Sequence, residues 1–123
     1  GRFVYLRSPD CPEKPKYEYT LMPTCHTAAR RAFMLDGMLR GAALHGGFSF
    51  TKGMPVLKLK NEKDVSQSHY PTALYDLARD PGEETPLDDP DTQWRMERTM
   101  MGLMGQNDCP EEVFERYFGH SVL

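Results

Sequence analysis

This chain has no pattern of paired cysteines. Cys11, Cys25 and Cys109 lie far apart and never at C-x-x-C spacing, so neither a disulfide framework nor a structural zinc site is supported. All three read as ordinary free thiols. Long apolar runs are missing too: nothing approaches the roughly 20 residues of a spanning helix. The first residues lack a signal-peptide layout, and Gly1 in place of an initiator Met is compatible with a cloning scar or an internal cut. Bacterial cytoplasm and periplasm both remain open as compartments, and no membrane partner is expected. Nor is there a basic excess, since 15 Lys and Arg stand against 18 Asp and Glu, a net charge of −3. That argues against nucleic acid as a partner. His26, His45, His69 and His120 are scattered, with no H-x-x-x-H or H-E-x-x-H spacing, and each reads as an exposed or partly packed histidine. No internal repeat and no low-complexity tract occurs.

What is present is globular in kind. A length of 123 residues with 39% hydrophobic and 27% charged residues predicts one domain over 1–123. Arg2 to Arg7 alternates apolar and polar residues, as a half-buried strand does. Pro9, Pro12 and Pro15 make the next stretch a loop. Tyr17 to Met22 and Val56 to Lys60 alternate again, and Ala73 to Leu77 gives a fourth strand. Between them, Thr24 to Leu44 carries apolar residues at helical spacing, weakened by Gly37 and Gly41. Phe48 to Phe50 reads as a short strand or bend before a turn at Thr51 to Gly53, and Asn61 to Tyr70 as an exposed loop.

From Asp89 the period becomes helical. Asp89 is the expected N-cap, Pro90 takes the first helical position, and Asp91 favours the positive end of the dipole. Met96, Met100, Leu103 and Met104 form the expected inward stripe, with Trp94 and Met101 flanking it. Such a stripe is core here rather than a partner groove, because the sheet needs covering. Pro110-Glu111-Glu112 opens a shorter helix that ends at Gly119. Together these elements predict an α+β fold, a small four-stranded antiparallel sheet packed against a C-terminal amphipathic helix.

Little catalytic chemistry is legible. Asp88-Asp89 and Glu111-Glu112 are adequately explained as helix-start carboxylates, and no metal-ligand cluster is expected. Cys25-His26 is a nucleophile pair only under the reading of a small unrelated enzyme; its plainer role is a thiol near a helix start.

One stretch is more specific than the rest: Leu74-Tyr75-Asp76-Leu77-Ala78-Arg79-Asp80-Pro81-Gly82-Glu83-Glu84, followed by Asp88-Asp89-Pro90. It resembles the LYDL-x-x-DPGE segment in the C-terminal subdomain of sulfatases of the alkaline-phosphatase superfamily. Arg2 to Arg7, Tyr17 to Thr24, Phe48 to Lys58 and Asn107 to Arg116 resemble further blocks of the same branch, in the same order. The resemblance implies a four-stranded antiparallel sheet packed on a C-terminal helix, at the rim of a pocket built mostly by an N-terminal catalytic domain. It also implies that this missing domain is the partner, that it holds a divalent, calcium-like cation, and that the full enzyme takes a sulfated small molecule or sugar. The formylglycine motif C/S-x-P-x-R is absent; Cys25-His26-Thr27-Ala28-Ala29-Arg30 lacks its proline and sets the Arg one residue too far along. Inactivity of the chain alone is therefore expected.

No motif of the family carries a substrate-facing role onto particular residues here; by their chemistry alone, the residues suited to face a sulfate are Arg30, Arg31, Lys52 and His69, cations near loops that can donate charge-assisted hydrogen bonds to a tetrahedral oxyanion. Cys25 to Gly47 matches no block of the family. The alternative is a free-standing binding or regulatory module with the same fold. A fragment is expected to expose apolar surface where its catalytic domain docks, and to be able to form a homodimer through it; a stand-alone module would cover that face with charge.

Overall fold

The first strand and the last one pair with each other. In this computed structural model, which describes residues 1–21, 40–61 and 70–119, β1 (Phe3–Leu6) runs antiparallel to β5 (Ala73–Asp76), with Val4 opposite Tyr75 and Tyr5 opposite Leu74. The remaining strands form a separate three-stranded antiparallel sheet in the order β2 (Lys16–Thr20), β4 (Val56–Asn61), β3 (Ala43–His45). Helices α1 (Pro90–Gln106) and α2 (Glu111–Phe118) follow β5. The α+β class with antiparallel pairing stands. The single four-stranded sheet is corrected to sheets of two and three strands. Proline is part of the reason: with Pro9, Pro12 and Pro15 between them, β1 and β2 are joined by a stretch that lacks ladder donors and does not turn back as a hairpin.

The chain divides into two compact units, Gly1–Pro12 with Ser66–Leu123, and Glu13–Val65. In the first, α1 packs against β1. Its start is as the residues suggest: Asp89 Oδ1 accepts the Thr92 N–H at 3.0 Å, and Pro90 opens the helix. Met96, Met100, Met101 and Met104 are half-buried, but Leu103 is 55% exposed and is not part of the inward stripe. Helix α2 buries Phe114 and Phe118 and stops at Gly119, whose φ of 73° is a left-handed cap.

Arg7 ties these pieces together. Its guanidinium donates to the Tyr117 carbonyl from Nε and Nη2 (3.1 and 3.0 Å), to Glu97 Oε2 and the Tyr5 hydroxyl from Nη1 (both 3.4 Å), and to Asp10. It also lies over the Phe118 ring, 5.2 Å from the centroid. One planar fork thus joins β1, α1 and α2, a task that suits Arg and not Lys. Nearby, the Cys11 N–H donates to the Arg116 carbonyl at 2.9 Å and Arg116 Nη1 donates to the Pro12 carbonyl at 2.6 Å.

In the second unit the register sets Tyr17, Tyr19, His45, Val56, Lys58 and Lys60 on one face of the sheet, and Leu57 and Leu59 on the other. Val56 and Leu59 are both buried, so both faces are covered at these points. The helix expected over Thr24 to Leu44 lies outside the described residues as far as residue 39. At its end the chain turns at Gly41 and forms β3 instead, so the helical reading of Ala43 and Leu44 is corrected. Of the two readings of Phe48 to Phe50, strand or bend, the structure has the bend: Ser49–Thr51 is a single 3-10 turn. The loop expected over Asn61 to Tyr70 lies almost wholly outside the described residues, and Asn61 itself ends β4.

Among the described residues Leu59 and Leu74 are the two most deeply buried large side chains, at 0% and 1% exposure, one in each unit. Leu59→Ala and Leu74→Ala should each cost about 2–5 kcal/mol, the usual result of a core cavity. Urea unfolding of each variant measures this, and a loss below about 1 kcal/mol at either position would contradict its place in a core.

Candidate functional site

Asp76 is a carboxylate at the end of a strand, only 4% exposed. It is held on three sides. Arg2 Nε donates to Oδ1 at 2.9 Å and Arg2 Nη2 to Oδ2 at 2.5 Å, a bidentate pair between residues 74 apart in sequence. The Ala78 N–H donates to Oδ1 at 3.1 Å, and the Arg79 guanidinium lies 3.8 Å from Oδ2. Hydrogen bonding from Arg2, against the opposing effect of burial, holds the Asp76 carboxyl below the usual carboxylate range, with the Ala78 N–H next in weight. Strand pairing continues past the carboxylate, since the Leu77 N–H donates to the Arg2 carbonyl at 2.8 Å.

The turn that follows is organised by a second carboxylate. The N–H groups of Arg79 and Asp80 donate back to the Asp76 carbonyl, and Asp80 Oδ2 accepts the Thr85 N–H at 2.8 Å. Asp80 is held below its ordinary pKa, first by the Thr85 N–H and then by that of Glu84. The Leu87 N–H reaches the Leu74 carbonyl at 2.6 Å, bringing the chain back along β5 before Asp89 opens α1. The acidic side chains at 76, 80 and 89 are therefore engaged with Arg2 and with backbone donors. None is aimed at a shared point, and among the described residues no group of three or more His, Cys, Asp or Glu is placed to hold a metal ion.

The second feature lies in the unit Glu13–Val65, where His45, Phe48 and Phe50 form a stack. The His45 and Phe48 rings lie 4.8 Å apart at 27°, and Phe48 and Phe50 lie 5.1 Å apart at 4°. Tyr19 meets both His45 and Phe48 edge-on, at 5.2 Å and 77° in each case. The backbone beneath is fixed by Thr51, whose hydroxyl oxygen accepts the Phe48 N–H at 2.9 Å and lies 2.9 Å from the Phe48 carbonyl and 3.1 Å from that of Met54. Gly47 sits at φ +88°, and a Cβ there would stand 2.3 Å from the Met54 carbonyl oxygen, so this position admits only glycine without rearrangement. The Gly47 N–H donates to His45 Nδ1 at 3.3 Å. Lys52 follows the turn in the left-handed region (φ 54°) and is exposed.

Of the four residues suited to face an oxyanion, the structure places Lys52 on this turn, while Arg30, Arg31 and His69 lie outside the described residues, as do Cys25 and His26. Beside Lys52 it brings an aromatic stack that charge alone did not signal. The spacing of His45, Phe48 and Phe50 around Gly46-Gly47 was its one trace in the sequence. Cys11 and Cys109 are free and half-buried; burial first, and then Glu112, push the Cys109 thiol above its ordinary pKa, away from a reactive thiolate. No described helix is long and apolar enough to cross a membrane. Comparison of the chain with protein-family profiles, with curated proteins and with solved structures finds no match in any of the three.

The Asp76 clasp has a defined pH dependence. Its folded pKa is lowered, so its contribution is whole above the unfolded value of about 3.9 and is lost as pH falls through the lower folded value. Stability of the parent chain should fall more steeply below about pH 4 than that of Asp76→Asn, measured by urea midpoints between neutral and acid pH. Parallel curves would show that the clasp does not couple to folding. Gly47→Ala should destabilise by about 1–3 kcal/mol through strain at its positive φ. Gly46→Ala, where nothing lies within 4 Å of the added carbon, is the control, and equal effects of the two would contradict the tight turn.

Proposed function

We propose that this chain is the scaffold and substrate-rim subdomain of a sulfatase, a sulfuric ester hydrolase whose catalytic chemistry resides in an N-terminal domain outside these residues. That domain would bind the divalent, calcium-like cation, and the full enzyme would act on a sulfated small molecule or sugar. The observation that carries this reading is the use to which the most family-like segment is put. Asp76 and Asp80 are engaged with Arg2 and with backbone N–H groups, the duty of a segment that supports a site by fixing the fold around it.

Exposed apolar side chains add support. Leu6, Tyr70, Trp94 and Leu103 in one unit, and Leu21, Leu44, Phe50 and Met54 in the other, are large hydrophobic residues open to solvent. Apolar side chains gathered into one face are the mark of a domain that docks on a larger partner, whereas a free-standing binding or regulatory module is expected to cover such a face with charge. Arg30, Arg31, Lys52 and His69 remain the proposed oxyanion-facing residues of the rim.

Two measurements test the proposal. An antibody raised to this segment should detect, in lysate of the source cell, a polypeptide several times heavier than 14.1 kDa; a band at that mass would establish the free-standing module instead. The purified chain should show no hydrolysis of an aryl sulfate above blank with or without calcium. Metal-dependent turnover by pure material would overturn its assignment as non-catalytic.

A further inference from the structure

We propose that the open end of the His45–Phe48–Phe50 stack, together with Lys52, is a binding subsite for a flat aromatic ring that carries a tetrahedral oxyanion. Phe48 is buried at 8% exposure, yet Phe50, lying almost parallel on it, is 71% exposed. One face of the Phe50 ring is covered by Phe48, so the other faces solvent. A stack that ends on a bare ring face offers a further planar ring the same contact that Phe50 already makes, and stacking of a flat ring on an aromatic side chain is worth about 1–3 kcal/mol. A saturated ring has no π face with which to continue it.

The turn is also pre-built. Thr51 bonds to the backbone on both sides of the phenylalanines, and Gly47 lets the chain pass within van der Waals range of Met54, so no ordering of the turn is required when a ligand arrives. The charge is suited to an anion. Residues 13–65 hold nine Lys and Arg against five Asp and Glu, and every lysine of the chain falls within them. The other unit holds six against thirteen, which places the positive field on the unit that bears the stack. Lys52, two residues beyond Phe50 and exposed, supplies a compact cation for the oxyanion.

Sulfate and phosphate share this chemistry. The choice of sulfate rests on the rim reading above; the stacking does not. Ligand-observed NMR titration of the 123-residue chain with 4-nitrophenyl sulfate, 4-nitrophenyl phosphate and cyclohexyl sulfate separates the possibilities. The flat ligands should bind about tenfold more tightly than cyclohexyl sulfate, the equivalent of about 1.4 kcal/mol of stacking. Phe50→Ala, and equally Phe50→Leu, which keeps apolar bulk without a ring, should remove that advantage. Lys52→Gln should weaken all three ligands alike and reduce their salt dependence. Circular dichroism checks that the variants at this exposed site remain folded. Equal binding of the flat and saturated sulfates, or an unchanged advantage in Phe50→Ala, would overturn the subsite. Tighter binding of the aryl phosphate than of the aryl sulfate would keep the subsite and overturn sulfate as its natural ion, an outcome separate from the size of the natural polypeptide.

Discussion

A buried carboxylate has to be answered, and the answer given to Asp76 organises the unit around it. A carboxylate at 4% exposure tolerates burial only when its lone pairs are filled. The donors that fill them come from opposite ends of the unit: Arg2 before β1, and Ala78 at the start of the turn after β5. Satisfying one side chain therefore fixes the register of β1 on β5, sets where β5 ends, and launches the loop that leads to α1. Arg7, five residues from Arg2, repeats the device one layer further on by joining the same strand to both helices. In both places an arginine fork ties elements together, which fits a chain with few fully buried side chains among its described residues.

The other unit uses a different economy. Its order comes from an aromatic cluster around His45 and Phe48 and from a turn closed by one threonine hydroxyl. Lys58, over the rings of Tyr17 and Tyr19 at 4.3 and 5.6 Å, adds cation–π contact on the same sheet face. The difference in charge between the two units follows the difference in construction: guanidinium–carboxylate pairs on the acidic side, lysines and rings on the basic side.

Local features were legible in the sequence wherever a residue's own chemistry decided them. The alternation in Lys16–Thr20 and Val56–Asn61, the short apolar runs of Phe3–Leu6 and Ala73–Asp76, the Asp89-Pro90 helix start and the Gly119 stop all follow from side-chain period, capping and backbone freedom. Partners were not legible. Alternation says that a strand has two faces, not which strand lies beside it, so the division of the strands into two sheets was hidden. β3 escaped because three residues among glycines are too short to show a period. The Phe48-Ser49-Phe50 alternation imitated a strand, while the Thr51 hydroxyl closes it into a turn. At the site, Lys52 was visible as a charge near a turn, but the exposed ring of Phe50 beside it was not, since stacking depends on how rings approach in three dimensions.

Because β1 finds its only described sheet partner in β5, the order in which the chain is made matters. The Arg2–Asp76 pair spans 74 residues, so at a synthesis rate of about 5–20 residues per second the first strand leaves the ribosome roughly 4–15 seconds before its partner exists. The residues of Glu13–Val65 emerge entirely within that interval. During it β1, with its row of open backbone donors and acceptors, is a surface that chaperones are suited to shield and that neighbouring nascent chains are suited to invade.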